Sequence, residues 1–382
     1  MTKWFDQVDV VDVAENLGTQ VPMGQVNELE RMSDNMGVLQ MSVPVPWKEG
    51  HVYLIAEAGV NHNGSLSLAH EMIDCAAEAG VDAVKFQIGT PEAVVSRFAP
   101  KAQYQKQTTD ASESQLEMIR NLQLPPDAWP DLVSRCVQEC VAFLASPFDL
   151  PSVRYLSGLD TPAIKVPSGE ITNLPYLRAV GATGMPVLLS TGMCDLEEVR
   201  CAIGVLASNG TPRDAILVLQ CTTEYPAPVE DANLRAMQTM AVEFGLPVGY
   251  SDHTLGLELS FAAAGMGARA IEKHFTLDKT MEGPDHAASL EPNELNELVR
   301  AIRSIEVALG DGVKRPARSE IKNQPIARKS IVASRAIVAG EAFSEENLTT
   351  KRPGSGVSPM SWDEVVGTCA TRAFEPDELI EL

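Results

Sequence analysis

Eight short runs rich in valine, isoleucine and leucine, separated by segments whose apolar residues recur every three or four positions, restrict this chain to very few architectures. The runs are VYLIAEAG from Val52, AVKFQ from Ala83, AFLASPF from Ala142, AIKVPSG from Ala163, PVLLSTG from Pro186, ILVLQCT from Ile216, PVGYSDH from Pro247 and AIEKHFT from Ala270. Between them lie segments such as SLAHEMIDCAAEAG and ELSFAAAGMGA, patterned as helices. Strands that alternate with helices pair in parallel, and eight such units in about 230 residues predict a TIM (β/α)8 barrel. The competing architecture, a doubly wound open sheet, would bind its ligand at one switch point. Here almost every strand end carries polar side chains instead.

In a barrel the C-terminal strand ends converge on one mouth, so the residues there form the candidate site. They are Glu57 and Asn61, Lys85 and Gln87, Ser146, Lys165 with Ser168 and Glu170, Ser190 and Thr191, Thr222 and Tyr225, Ser251 with His253, and His274. Lys85 and Lys165 each interrupt an apolar strand, where an unpaired charge is costly. With Ser168, Ser190 and Ser251 they describe a pocket for a small phosphate or carboxylate. The competing reading pairs each lysine with a carboxylate such as Glu57 or Glu170.

His253 and His274 end consecutive strands, which sets two imidazoles side by side. Two neutral ring nitrogens hold a divalent metal while leaving positions for water and a substrate oxygen. A hydrogen-bonded structural pair is the alternative. Glu57, Glu170 and Asp285 supply carboxylates suited to moving protons or orienting water. His62 and His286, beside Asn61 and Asp285, read as substrate contacts or as solvated turns.

Composition narrows the partners. With 52 acidic against 30 basic residues and a formal charge of -22, the chain is a poor match for a nucleic-acid backbone, so any anionic ligand must be small and locally gripped. No apolar stretch approaches the roughly 20 residues of a membrane span, and the opening MTKWFDQVDVVDVAENLG reads as neither a secretory signal nor an anchor. Seven scattered cysteines fit reduced thiols and a cytoplasmic location. Cys136 and Cys140, one helical turn apart, lack the second pair that a zinc site needs.

Four segments follow. Residues 1–50 form an extension of weak periodicity, 51–309 the barrel, 310–330 a linker of glycine, proline and basic residues, and 331–382 a module with little core of its own.

The ordered motifs IAEAGVNHNGS, AVKFQ, ASPFD, IKVPSGE, LLSTGM, CTTEYPAP, GYSDHT, EKHFT and GPDHAASLEP resemble those of the sialic acid synthase family, and the final module with KRPGSG resembles its antifreeze-like (SAF, β-clip type) domain. The resemblance covers residues 50 to 382. It implies condensation of phosphoenolpyruvate with an N-acetylated amino sugar and water to a nine-carbon 2-keto acid. Phosphoenolpyruvate would lie on Lys85, Lys165, Ser168, Ser190 and Ser251, with Ser146 beside it. Mn2+, or Co2+ or Mg2+ in its place, would sit on His253 and His274. The sugar would meet Glu57, Gln87, Tyr225 and Asp285, with Glu170 near the reacting centre. A domain-swapped homodimer would bring Arg352 of the partner's small domain to the sugar's acyl group. The sugar is N-acetylmannosamine or 2,4-diacetamido-2,4,6-trideoxymannose, giving N-acetylneuraminate or N,N'-diacetyllegionaminate. A metal-dependent aldolase and a carbohydrate- or ice-binding protein are the competing readings.

Overall fold

The computed structural model describes residues 43–110 and 112–382, so most of the expected extension lies outside the described residues. The chain forms two compact units, one running to Leu309 and the other from Gly310 to Leu382.

The first unit is a closed parallel barrel of eight strands in sequential order. They are β1 (Tyr53–Gly59), β2 (Ala83–Ile88), β3 (Ala142–Pro147), β4 (Ile164–Val166), β5 (Val187–Ser190), β6 (Ile216–Cys221), β7 (Val248–Asp252) and β8 (Ala270–His274). β1 closes the ring by pairing with both β2 and β8, with Glu57 opposite Lys85 on one side and His274 on the other. The connecting helices form where the sequence supplies caps. Helix Leu66–Ala79 begins at Ser65, whose Oγ accepts from the Leu68 amide, and stops at Gly80, whose φ of 83° suits glycine. Its buried Ala69, Met72, Ile73, Ala76 and Ala79 make the single stripe that packs on the sheet.

Side chains alternate across each strand, and this alternation makes two cores. Outward residues such as Leu54, Val84, Phe86, Phe143, Val187, Val218 and Ile271 meet the helices. Inward residues Tyr53, Ile55, Ala83, Leu144, Ala163, Leu188, Leu217, Leu219 and Ala270 fill the barrel, joined by Trp47 from the segment before β1. Each fully buried leucine or isoleucine here stabilises the fold by roughly 1.5–3 kcal/mol. Two residues further along the same face, the lumen turns polar on all eight strands: Glu57, Lys85, Ser146, Lys165, Ser190, Cys221, Ser251 and Glu272. The apolar tier fills the barrel, and the polar tier lies beyond it toward the C-terminal ends of the strands.

Gly249 shows how tightly the inner tier packs. A Cβ there would lie 2.4 Å from the Ala270 carbonyl oxygen and 2.7 Å from Leu219 Cδ2. Because the first of these atoms is backbone, β8 itself must shift to make room. Gly249→Ala is expected to destabilise the barrel by roughly 3 kcal/mol, read as a lower urea midpoint. A variant that unfolds with the wild type would contradict this packing.

In the second unit, β9 (Ser330–Ala333) and β10 (Leu348–Lys351) pair antiparallel over a core that includes Ile331, Ile337, Phe343, Leu348, Phe374 and Ile380. Among the described residues, no helix is long and apolar enough to cross a membrane.

Candidate active site

The polar tier opens into a cavity of about 320 Å³ at the C-terminal ends of the strands. Glu57, Lys85, Gln87, Ser146, Lys165, Ser168, Ser190, Tyr225, Ser251, His253, His274 and Asp285 all line it, from eight different strands and their following loops. Asn61, Thr191, Thr222, Glu170 and Arg352, also expected at the site, do not. Glu170 adjoins the lining residues Ser168 and Gly169 but is itself half-buried outside the lining, its carboxylate accepting from Asn173 Nδ2 at 2.6 Å. Arg352 belongs to the second unit, where it follows β10 and is exposed.

The two lysines are ion-paired, so the carboxylate reading and the cation reading both describe this tier. Lys85 Nζ lies 2.8 Å from Glu57 Oε2 and donates to Ser146 Oγ at 3.1 Å. Lys165 Nζ donates to Glu272 Oε1 at 2.9 Å, and the same oxygen accepts from Ser251 Oγ at 2.9 Å and lies 3.6 Å from Lys85. Lysine partners were expected at Glu57 and Glu170; the second is Glu272. Its signal lay in the sequence all the same, because Glu272 is two residues before His274 on one strand and therefore faces the same way.

Burial and charge divide these groups. Burial works to raise Glu272, but Lys165 and Lys85 outweigh it and hold the group well below the usual carboxylate range. Glu57 is pushed up by burial against the pull of Lys85. Lys165 is pushed down by burial, whereas in Lys85 the attraction of Glu272 and Glu57 overcomes the burial cost. The polar tier thus holds one carboxylate whose charge the lysines favour and one whose charge burial disfavours.

His253 and His274 stand with ring centroids 5.4 Å apart, and Tyr225 stacks on His253 at 4.2 Å. Burial lowers both imidazoles to about 3, so both are neutral. Nδ1 of His253 donates to the Thr222 carbonyl at 2.6 Å, leaving Nε2 without a proton at 3.3 Å from Ser251 Oγ, while Nδ1 of His274 is buried without a hydrogen-bond partner. A neutral ring oriented by a backbone carbonyl suits a metal ligand. No group of three or more His, Cys, Asp or Glu poised for a metal occurs among the described residues. The two ring nitrogens alone are fewer ligands than a closed metal site holds.

Asp285 follows β8, is buried, and is pushed up to about 7 by burial and by Glu57. The folded chain keeps its proton over the interval from the ordinary value of 3.8 to about 7, where the unfolded chain has lost it. Its contribution to stability is thus complete at low pH and is lost as pH rises through 7. Asp285→Asn is expected to remove that decline, seen as a flatter plot of melting temperature from pH 4 to 8. Parallel plots for the two proteins would contradict it.

His62 and His286 are buried but hold loops together. His286 Nδ1 and Thr276 Oγ1 lie 2.7 Å apart, and His62 Nδ1 accepts from the Gly64 amide at 3.1 Å. Neither histidine lines the cavity.

The model of the NeuB family matches residues 72–314, well over half of the chain. The chain belongs to the NeuB family. A SAF domain follows at residues 328–381. This NeuB-family chain is 52% identical over 327 residues to an N,N'-diacetyllegionaminic acid synthase of Campylobacter jejuni, covering 86% of this chain and 98% of that one. It is 45% identical to a Legionella pneumophila protein of the same name, covering 83% and 89%. Among solved structures, the N-acetylneuraminic acid (sialic acid) synthetase of Leptospira borgpetersenii matches with a TM-score of 0.62 at 34% identity, over 71% of this chain and 90% of that one.

Proposed function

We infer that this NeuB-family enzyme is a sialic-acid-type synthase that joins phosphoenolpyruvate, an N-acetylated amino sugar and water into a nine-carbon 2-keto acid with release of phosphate. One observation carries the reading: the cavity at the mouth of the barrel holds two lysines beside two neutral imidazoles and a buried aspartic acid pushed up to about 7. An aldolase would release no phosphate. A binding protein would gain nothing from burying three carboxylates and two lysines at its centre, since such burial is costly.

In this reading Lys85, Lys165, Ser146, Ser168, Ser190 and Ser251 grip the phosphate and carboxylate of phosphoenolpyruvate. Glu57, already raised by burial, takes up a proton as the anion joins the lysines. The enol carbon C3 then faces the aldehyde of the open-chain sugar, held by Tyr225, Gln87 and Asp285. C3 bonds to the aldehyde carbon, whose oxygen receives a proton from the carboxyl group of Asp285. Water adds at C2, giving one proton back to a carboxylate, and the new C2 hydroxyl passes its proton to the departing phosphate as C2=O forms and the bond from C2 to the phosphate oxygen breaks, leaving the keto acid and inorganic phosphate. His253 and His274 would hold Mn2+, or Co2+ or Mg2+, which when bound supplies a Lewis acid at the aldehyde end. Arg352, supplied by the partner's SAF domain in a domain-swapped homodimer, would meet the acyl group. A cytoplasmic setting, where phosphoenolpyruvate is made, suits the reaction.

The sugar is N-acetylmannosamine, yielding N-acetylneuraminate. The second reading, 2,4-diacetamido-2,4,6-trideoxymannose yielding N,N'-diacetyllegionaminate, draws on the names of the Campylobacter and Legionella relatives. Phosphate release from phosphoenolpyruvate with Mn2+ tests the class: release is expected with an amino sugar, to be abolished by a chelator and restored by Mn2+. Metal-independent release, or none with any amino sugar, would overturn it.

A further inference from the structure

Alternate residues of β7 and β8 face the helix layer rather than the lumen, and the sequence fills these places with Val248, Tyr250 and Ile271. The last outward place on each strand breaks the pattern. Asp252 and Lys273 stand there, each 1% exposed, with Lys273 Nζ 2.9 Å from Asp252 Oδ2. Neither lines the cavity, and no step of the proposed chemistry uses them. An ion pair buried in an apolar layer gives the fold no more than well-packed apolar residues of similar volume would. Stability alone therefore does not account for a lysine and an aspartate at this place.

One residue further along stand the two imidazoles. Asp252 precedes His253, Lys273 precedes His274, and the pairing of β7 with β8 ends on the rung that joins Asp252 to Lys273. The ion pair thus closes the last rung from the far side of the sheet, immediately before both histidines turn to the cavity. It also fixes the turn that follows. Asp252 Oδ1 accepts from the Thr254 amide at 2.9 Å and from Thr254 Oγ1 at 2.7 Å, and Lys273 Nζ donates to the Thr254 carbonyl at 2.7 Å. Ser260 Oγ, on helix Glu258–Gly265, donates to Asp252 Oδ2 at 2.7 Å and anchors the pair to the outer layer. His253 therefore lies between two clamped residues, and the other arm of the clamp is the residue before His274.

We propose that Asp252 and Lys273 are a positioning pair for His253 and His274, setting the separation of the two imidazoles, whose centroids are 5.4 Å apart, so that one divalent cation reaches both. The inference rests on the reading of these histidines as the cation-holding pair. Groups behind a metal ligand orient it, and their loss shows as weaker metal binding. A pair that served the fold alone would leave cation affinity untouched when both members were replaced by neutral side chains of similar size.

Calorimetric titration of the full chain with Mn2+, run beside urea unfolding, decides it. In Asp252→Asn combined with Lys273→Met both charges leave together, the asparagine keeps an acceptor for Thr254, and the methionine keeps most of the length of the lysine chain. This double variant is expected to unfold near the wild-type urea midpoint, because no buried charge is left alone, and to bind Mn2+ about 30-fold more weakly. Its kcat/KM is expected to recover as Mn2+ is raised, which the loss of a catalytic group would not allow. Thr254→Val, which removes one donor to Asp252 and no charge, serves where the double variant does not fold, with a loss of Mn2+ affinity of about fivefold expected. Wild-type affinity in a folded variant would overturn the inference alone. Undiminished Mn2+ binding in His274→Leu would overturn the cation reading of the histidines and the inference with it.

Discussion

Lys165→Met is expected to lower kcat/KM by about 1,000-fold, the cost of removing a preorganised charge from where phosphate must be held. It is also expected to destabilise the fold by about 3 kcal/mol, because Glu272 is left fully buried with only Lys85, at 3.6 Å, to balance it. These two losses have different causes and separate in a second variant. Lys165→Met combined with Glu272→Gln removes the uncompensated carboxylate, so stability in urea returns toward wild type while activity stays lost. Phosphate release and urea midpoints on the two proteins are the measurements. Wild-type turnover in Lys165→Met would remove this lysine from the chemistry altogether.

His274→Leu is expected to dissociate function from stability in the opposite sense. Nδ1 of His274 is buried without a partner, and a group in that position costs free energy that an aliphatic side chain of similar size does not. The variant is therefore expected to unfold at the same urea concentration as wild type or higher. Its affinity for Mn2+, titrated calorimetrically, is expected to fall by about 100-fold and its turnover by about 1,000-fold, since a Lewis acid at the aldehyde supplies several kcal/mol. Undiminished Mn2+ binding would return the two histidines to a structural role.

Both predictions rest on residues whose place in the barrel the strand pattern already implies. Runs such as AVKFQ and AIEKHFT have a period of two, so Lys85 and Gln87, or Glu272 and His274, must share a face once the run is a strand. Glu272 was nonetheless missed, because a carboxylate in mid-strand carries no mark of its own until a lysine from β4 is seen opposite it. Glu170 shows the converse. Its position after IKVPSG suggests the mouth, but the 3-10 turn Ser168–Glu170 leaves Ser168 on the cavity and takes the glutamate to Asn173.

The cavity wall formed by helix Gln115–Leu122 was the least legible part. SESQLEMIRNLQL scans as an ordinary amphipathic helix, and its apolar face would be assigned to the core, since pattern records only that a face is covered.

By itself, the sequence determined the barrel, the order of its strands, which residues alternate inward, and the family motifs at the strand ends. These depend on local periodicity and on neighbours along the chain. Only the tertiary structure decided which carboxylate neutralises which lysine, that Asp285 is a partnerless acid raised toward neutrality, and that helix Gln115–Leu122 faces a cavity. Pairing, burial and pKa depend on distances between residues far apart in sequence, which periodicity leaves open.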